Sequence, residues 1–566
     1  MYKILRGENM KRKSFIALLM VLLLVFVSAC NKTDNKEAEN KANEAPQTES
    51  ESKEEKAEVR NEIRYAIWNT PSGIFMPLLQ DVQQDGYVNS VVYNGLLSLN
   101  NKHDLEPALA KSYELSEDGL RLSFELRDDV KWQDGEAFTA DDVKFTLESM
   151  AHKDYTGELY SLVESIKGAK DFHEGKADAI EGIKIDGNKI DIEFDQIYAP
   201  ALNNIGTAAI IPKHIWEKVE VKDWEKQTDM LNNPIGTGPF MVKEFKAGEY
   251  VKLDRFDDYF EGTPKMPAFE FVVLNPDTAI AEILNGAVDV AEISSFDKDD
   301  FKKLEESGIK TVHYPTPNIQ YMGMNNKNPM LSDVKIRQAI AYGVDRKGIV
   351  DNLLDGHGVV INAPMVPSLP SYPQEGLTNY ERDVDKAKAL IEEAGYTLGS
   401  DGIYEKDGQR LSFSLVVPLG NKNREKTGPI IQSQLKDIGI EISIEQMEFP
   451  QVMEKVVKNR DYDTYLMANT LGLDPDPKPN WYSNSDWNFV GFENAESDKL
   501  IDEGLKAKDN NERIEIYHKW GKILNENVPW LPLYAPDIIN AYNTNLKNYE
   551  PNTFCDFYNV ANWDLN

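Results

Sequence analysis

The chain has 566 residues, a formal net charge of −33 and only two cysteines. So acidic a chain argues against nucleic acid or anionic lipid as a partner of its folded part, and its length suits several domains. With Cys30 assigned below, Cys555 has no intramolecular partner, so no structural disulfide is expected and Cys555 reads as a small buried hydrophobe.

The N-terminus carries its own message. Lys11, Arg12 and Lys13 precede an apolar run from Phe15 to Val27, and small residues then lead to a cysteine, which is the order of a secretory signal. The run is shorter than the ~20 residues that cross a bilayer comfortably. Val27-Ser28-Ala29-Cys30 resembles the bacterial lipobox. That resemblance implies removal of residues 1–29 and diacylation of Cys30, and so a tether to the outer face of the cytoplasmic membrane. Met10 begins an equally well-formed signal. Residues 30–60 are Glu, Lys, Asn, Ser and Thr with almost nothing apolar, so they are expected to form a disordered polar spacer.

Strands and helices are interspersed beyond the spacer without a regular alternation. Leu120, Leu122, Phe124 and Leu126 alternate with polar neighbours, as do Ile190, Ile192 and Phe194, which predicts half-buried strands. Asp186-Gly187-Asn188-Lys189 predicts the tight turn of a hairpin between Ile183–Ile185 and Ile190–Phe194. Helical patterns run over 139–150, 334–345, 383–394, 428–438 and 513–525, with Gly395 and Gly439 placed as C-terminal stops. No tandem repeat is visible.

Catalytic constellations are missing. The seven histidines are scattered, without His-Glu-x-x-His or a paired zinc spacing. Neither a Gly-x-Ser-x-Gly elbow nor a phosphate-cradling Gly-x-x-x-x-Gly-Lys-Ser/Thr occurs. Carboxylates are abundant, yet in so acidic a chain most are solvated surface groups.

Three segments carry a family resemblance. Glu106-Pro107-Ala108-Leu109-Ala110 is followed by Asp118-Gly119-Leu120, by Leu126 to Trp132, by Asp134-Gly135 and by Thr139-Ala140-Asp141-Asp142-Val143. Asn233 to Phe240 reads Asn-Pro-Ile-Gly-Thr-Gly-Pro-Phe, and Asp333 to Ile340 continues to Val344-Asp345-Arg346. In this order they resemble family 5 extracellular solute-binding proteins, the peptide-binding receptors of ABC importers. Locally, Asp134-Gly135 is a turn before a helix capped by Thr139 or Asp141. Gly236 and Gly238 permit positive φ or close backbone approach, and Arg337 is expected to pair with an acid or cap a strand end.

The resemblance implies an α/β periplasmic-binding-protein-like two-lobed clamp (type II, cluster C-like) with an extra small α/β domain. Residues 61–92, 221–315 and 532–566 would form lobe I, 93–220 the extra domain and 316–531 the other ligand-gripping lobe. The clamp would close by a hinge on an oligopeptide and deliver it to a membrane-embedded ABC permease. A monomer is expected, anchored to the membrane through lipid, with no cofactor and no catalysis. Two other readings stay open. One is the same scaffold with another cargo (a signalling peptide, nickel chelate, haem or glycan); the other is an extracellular hydrolase, for which only the carboxylates speak. The scattered histidines count against direct metal capture.

For the ligand, the resemblance implies main-chain pairing with an extended peptide, placed at Asn318 to Asn326. There Tyr321 and Asn325 are candidate contacts, Tyr321 serving equally well as core. An acid for the peptide amine would sit in Leu471-Gly472-Leu473-Asp474-Pro475-Asp476-Pro477, where Leu473 stands at the family's aspartate position. Asp474 or Asp476 is the candidate, each readable also as a turn cap. That departure, with Asn488 to Phe492 downstream, looks like the subgroup accepting longer peptides. Trp481 and Asn488 are further candidates from that side, and Trp68 and Asn69 should face the cleft from lobe I.

Overall fold

Ile63, Tyr65 and Ile67 alternate inward along Glu62–Trp68, which builds the start of a mixed sheet at the centre of the molecule. The computed structural model describes residues 61–80, 82–294 and 297–566. The signal segment, Cys30 and the spacer lie outside the described residues.

The main sheet contains β1 (Glu62–Trp68), β2 (Phe240–Lys246), β3 (Tyr250–Arg255), β4 (Ala268–Leu274), β5 (Val290–Glu292) and β6 (Ile309–Pro315). It continues with β7 (Asn318–Met324), β8 (Gly358–Val360), β9 (Ser412–Pro418), β10 (Glu441–Met447), β11 (Thr464–Thr470) and β12 (Trp530–Asn543). Among the described residues these twelve strands run in the order β10-β9-β11-β7-β12-β5-β1-β4-β3-β2, with β6 and β8 also paired to β12. β1 is parallel to β4 and β5, and β9 is parallel to β10 and β11. The near-continuous apolar stretch of β9, covered on both faces, suits a parallel neighbourhood.

The core divides along β12. Leu531, Leu533, Tyr534 and Ala535 pack with residues between Ile319 and Trp530, whereas Ile539 and Ala541 pack with Ala66, Ile283 and Leu304. This is a two-lobed α/β fold in which one long strand crosses between the lobes. Leu533, Tyr534 and Ala535 pack with the segment 319–530, where β12 stays paired with β7 through Tyr534. A smaller sheet runs in the order Ala110–Leu115, Arg121–Leu126, Lys189–Glu193, Ile183–Asp186. Its Leu122, Phe124, Ile190 and Ile192 join the same core cluster as Ile63 and Phe269.

Local signals hold at several points. Thr139 and Asp142 form a reciprocal capping box on the helix Ala140–Ala151. The helices Val334–Gly343 and Val384–Glu393 lie within the predicted spans. Lys422–Asp437 starts two turns earlier than its pattern, capped by Asn421, with Pro429 inside it. A Cβ on Gly236 would stand 1.8 Å from the Val92 carbonyl oxygen, so close backbone approach, not positive φ, requires glycine there. Arg337 donates to the carbonyls of Leu331, Ser332, Asn527 and Val528, satisfying a loop and a helix end where an acid or a strand end was expected. Cys555 is half-buried and free, and burial pushes its thiol up to about 12.

Candidate functional site

β11 ends at Thr470, and the chain turns through 471–477 into the short helix Lys478–Trp481. Trp481, 4% exposed, anchors the far end of this loop edge-on against Trp530, with ring centroids 4.9 Å apart. The near end is fixed by the Leu471 amide, which donates to Pro317 O at 3.0 Å. Between these anchors, no hydrogen bond among the described residues uses the amides of Gly472, Leu473 or Asp474. The loop borders a cavity of about 220 Å³ lined by Thr470, Gly472, Asp474, Asp476, Trp481 and Met365, among others. A backbone with unspent donors beside such a cavity can pair with another main chain.

The two loop carboxylates have different fates. Asp474 takes both terminal nitrogens of Arg513, at 2.6 and 2.7 Å, in a pair whose side chains are 9% and 6% exposed. It also accepts from Asn203 of the smaller domain at 3.3 Å. A bidentate, nearly dry pair of this kind is strong, and it leaves Asp474 little capacity for a ligand amine. Asp476 is half-buried, accepts from the Lys478 amide at 2.9 Å and has no ion-pair partner within 4 Å among the described residues. Burial, reinforced by the charge of Asp474, pushes its carboxyl up. It is the loop carboxylate best placed to receive a cation.

β7 is flanked on both edges. Asn318–Met324 pairs with β11 throughout, and Gln320–Gly323 pairs with β12. A peptide strand therefore has no free edge at the centre of β7. Tyr321 is 4% exposed, with its ring 3.7 Å from that of Trp530, so it serves the core. Asn325 donates to Tyr462 O and caps the Lys327 amide. Asn488, 5% exposed, spends its amide on Tyr482 O, Phe492 O and the Phe492 N–H. Both asparagines shape loops, and their hydrogen bonds run inward. Trp487, from the same aromatic-rich segment, is exposed at 52%.

On the first lobe, Trp68 ends β1 half-buried, and its indole N–H finds no acceptor among the described residues. Asn69 follows exposed, in left-handed backbone with φ of +71°. An unpartnered indole donor beside an exposed turn fits a ligand-facing position.

Arg424 was not singled out by sequence. It lies in the first turn of the helix Lys422–Asp437 and donates Nε and Nη2 to Gln320 Oε1 at 3.2 and 3.1 Å. No carboxylate stands within ion-pair distance of it among the described residues, and burial pushes its guanidinium down. Gln320 donates to Asn318, and Asn318 donates to Thr470 at the cavity rim. This polar track joins a half-buried cation without an ion-pair partner among the described residues to the loop that holds Asp476. A larger groove of about 880 Å³ lies between the helices Ala495–Leu505 and Asn510–Asn527, but it is open and lined by charged surface side chains such as Asp498, Lys499 and Lys519. Unspent amide donors and a carboxylate favour the smaller cavity.

The family model for bacterial extracellular solute-binding proteins, family 5 Middle, matches residues 104–489, a span that includes all three motif segments. The chain belongs to that family. It is 31% identical to the oligopeptide-binding protein AppA of Bacillus subtilis (strain 168), over 98% of this chain and 99% of that one. The structure of B. subtilis AppA in complex with a nonapeptide superposes with a TM-score of 0.71 at 30% identity, covering 89% of this chain and 99% of that chain. NikZ from Campylobacter jejuni in complex with Ni(L-His) gives a TM-score of 0.73 at 27% identity, with the same coverage. This family 5 protein is thus an extracellular solute-binding protein and not an enzyme.

Proposed function

We propose that this protein captures oligopeptides outside the cell by closing its two lobes over them and passes them to a membrane-embedded ABC permease, working as a monomer tethered through lipid on Cys30. The observation that carries the reading is the set of unspent amides at Gly472, Leu473 and Asp474 beside the 220 Å³ cavity that Asp476 also lines, with a polar track running from Thr470 at its rim to Arg424. Main-chain donors hold a peptide without regard to its sequence, while a carboxylate and a guanidinium suit its amine and its carbonyl or carboxylate groups. Similarity to B. subtilis AppA, which binds a nonapeptide, supports the same cargo class.

Mass spectrometry of material that co-purifies should show peptides. A mixed peptide library should raise the melting temperature, since a ligand at a hundredfold excess over Kd stabilises the native state by about 2.7 kcal/mol. With Leu473 at the position the resemblance gives to aspartate, longer peptides should shift it more than dipeptides. Equal shifts from dipeptides would overturn the preference for length, and no shift from any peptide would overturn the cargo. A second reading, a metal chelate, draws on the similarity to NikZ with its Ni(L-His); nickel and histidine without peptide in the co-purified material would favour it.

A further inference from the structure

Behind the crossing of the lobes, three side chains far apart in sequence meet. His313 lies on β6 and His357 immediately precedes β8, with Asp537 on β12 between their strands. Pro315 is the partner of Asp537 in the antiparallel β6–β12 ladder, so the period of two places Asp537 and His313 on one face as diagonal neighbours. The Nδ1 atoms of His313 and His357 are 3.2 Å apart, and one ligand atom from each of the three residues falls within 4.8 Å of the others.

We propose that His313, His357 and Asp537 form a binding site for one divalent transition-metal ion of the zinc class, clipped across the junction of the two lobes. Two imidazole nitrogens at ~2.0–2.1 Å from a tetrahedral ion stand about 3.3 Å apart, which is the spacing already present. Two imidazoles and a carboxylate make a borderline-soft donor set, suited to Zn²⁺ or Ni²⁺ and poor for Ca²⁺ or Mg²⁺. Water takes the fourth position of a three-ligand site. The outer contacts fit as well. His313 Nε2 lies 3.1 Å from Thr311 Oγ1, and with that hydroxyl accepting the Nε2–H, the Nδ1 lone pair points toward His357. Phe301 leans on both imidazoles, with centroids 5.6 and 5.1 Å away, and restricts their rotation.

This ion differs from the cargo in place and in donors. The peptide-facing cavity is lined by 364–369 and 470–481, and none of the three ligands belongs to those segments. The site also eludes a search by spacing, because its histidines are 44 residues apart.

The purified full chain, stripped with chelator, should take up Zn²⁺ saturably at one ion per chain in a competition titration with a chromophoric chelator. His313→Gln, His357→Gln and Asp537→Asn should each weaken that uptake by about 10–100-fold. His313 is exposed and the other two residues are half-buried, so the substitutions stay outside the hydrophobic core. Co²⁺ in the same site should give visible bands of a four-coordinate nitrogen–oxygen centre, lost in the His variants whether or not peptide is bound. Absence of saturable Zn²⁺ uptake overturns the proposal. So does an affinity that moves less than about threefold in all three variants, since the ion would then sit on surface carboxylates.

Discussion

Replacing Asp474 with Asn should damage the fold before it damages binding. The pair with Arg513 is bidentate, its side chains are 9% and 6% exposed, and Arg513 spends its Nε on Gly504 O at 3.2 Å. Asn keeps the volume and removes the charge, leaving a guanidinium enclosed without a counter-ion. Breaking a buried pair in this way typically costs ~3–5 kcal/mol, against ~0–1 for an exposed pair. For a cooperative unit of 150–250 residues, about 2–4 °C is lost per kcal/mol, so scanning calorimetry should show a fall of ~6–20 °C. Arg513→Met alone should cost a similar amount, because it strands the carboxylate. The double variant Asp474→Leu with Arg513→Met removes both charges and should recover most of the loss. Asp474 also accepts from Asn203, and Leu505 O accepts from the Ala199 amide at 3.0 Å, so the damage should extend to the contact of the smaller domain with this lobe. If both single variants unfold within ~1 kcal/mol of the parent, the pair is hydrated in solution and the assignment of Asp474 to structure is wrong.

Asp476→Asn should leave thermal stability nearly unchanged and weaken free-amine peptides at least about tenfold, or 1.4 kcal/mol, while an N-acetylated peptide binds parent and variant alike; isothermal titration distinguishes the two ligands. Arg424→Gln should weaken peptides by a similar factor with no loss of melting temperature in the apo protein, since the side chain has no ion-pair partner to strand. Burial, with Asp556 nearby, pushes Glu292 up to about 7. Its unfolded value is about 4.3, so the native state holds the proton longer, and stability falls as pH rises between roughly 4.5 and 7. Glu292→Gln should flatten that slope by ~1–2 kcal/mol for a half-buried group, a gain visible at pH 8 and absent at pH 4 in urea unfolding. Cys30→Ser should release the protein into the medium or leave it unprocessed, and a variant still acylated and membrane-bound would sink the lipid-anchor reading.

What could be read from the residues was local or patterned. The capping box at Thr139, the hairpin around Gly187 and the helix over 334–343 follow from rules that act within a few positions. The family's motif segments added the two-lobed arrangement, which no periodicity in this chain specifies. β12 is a single strand serving two cores, and strand patterning within a few positions does not say which core a residue joins.

The site was less legible because charge partners are chosen in three dimensions. Asp474 and Asp476 are two residues apart in a Pro-rich loop and equivalent on paper. What separates them is Arg513, 39 positions away, which reaches one of the two. Arg424 was missed for a different reason. Pro429 removes a helical N–H and ordinarily signals a boundary, and the two turns that carry Arg424 lie ahead of the pattern that begins at Gly428. Asn421 caps those turns by accepting from the Arg424 amide at 2.9 Å, and the helix continues through its proline beyond them. That single local override aims the guanidinium at Gln320 instead of solvent. The position of the Arg424 guanidinium thus follows from an N-cap that starts the helix two turns before its proline.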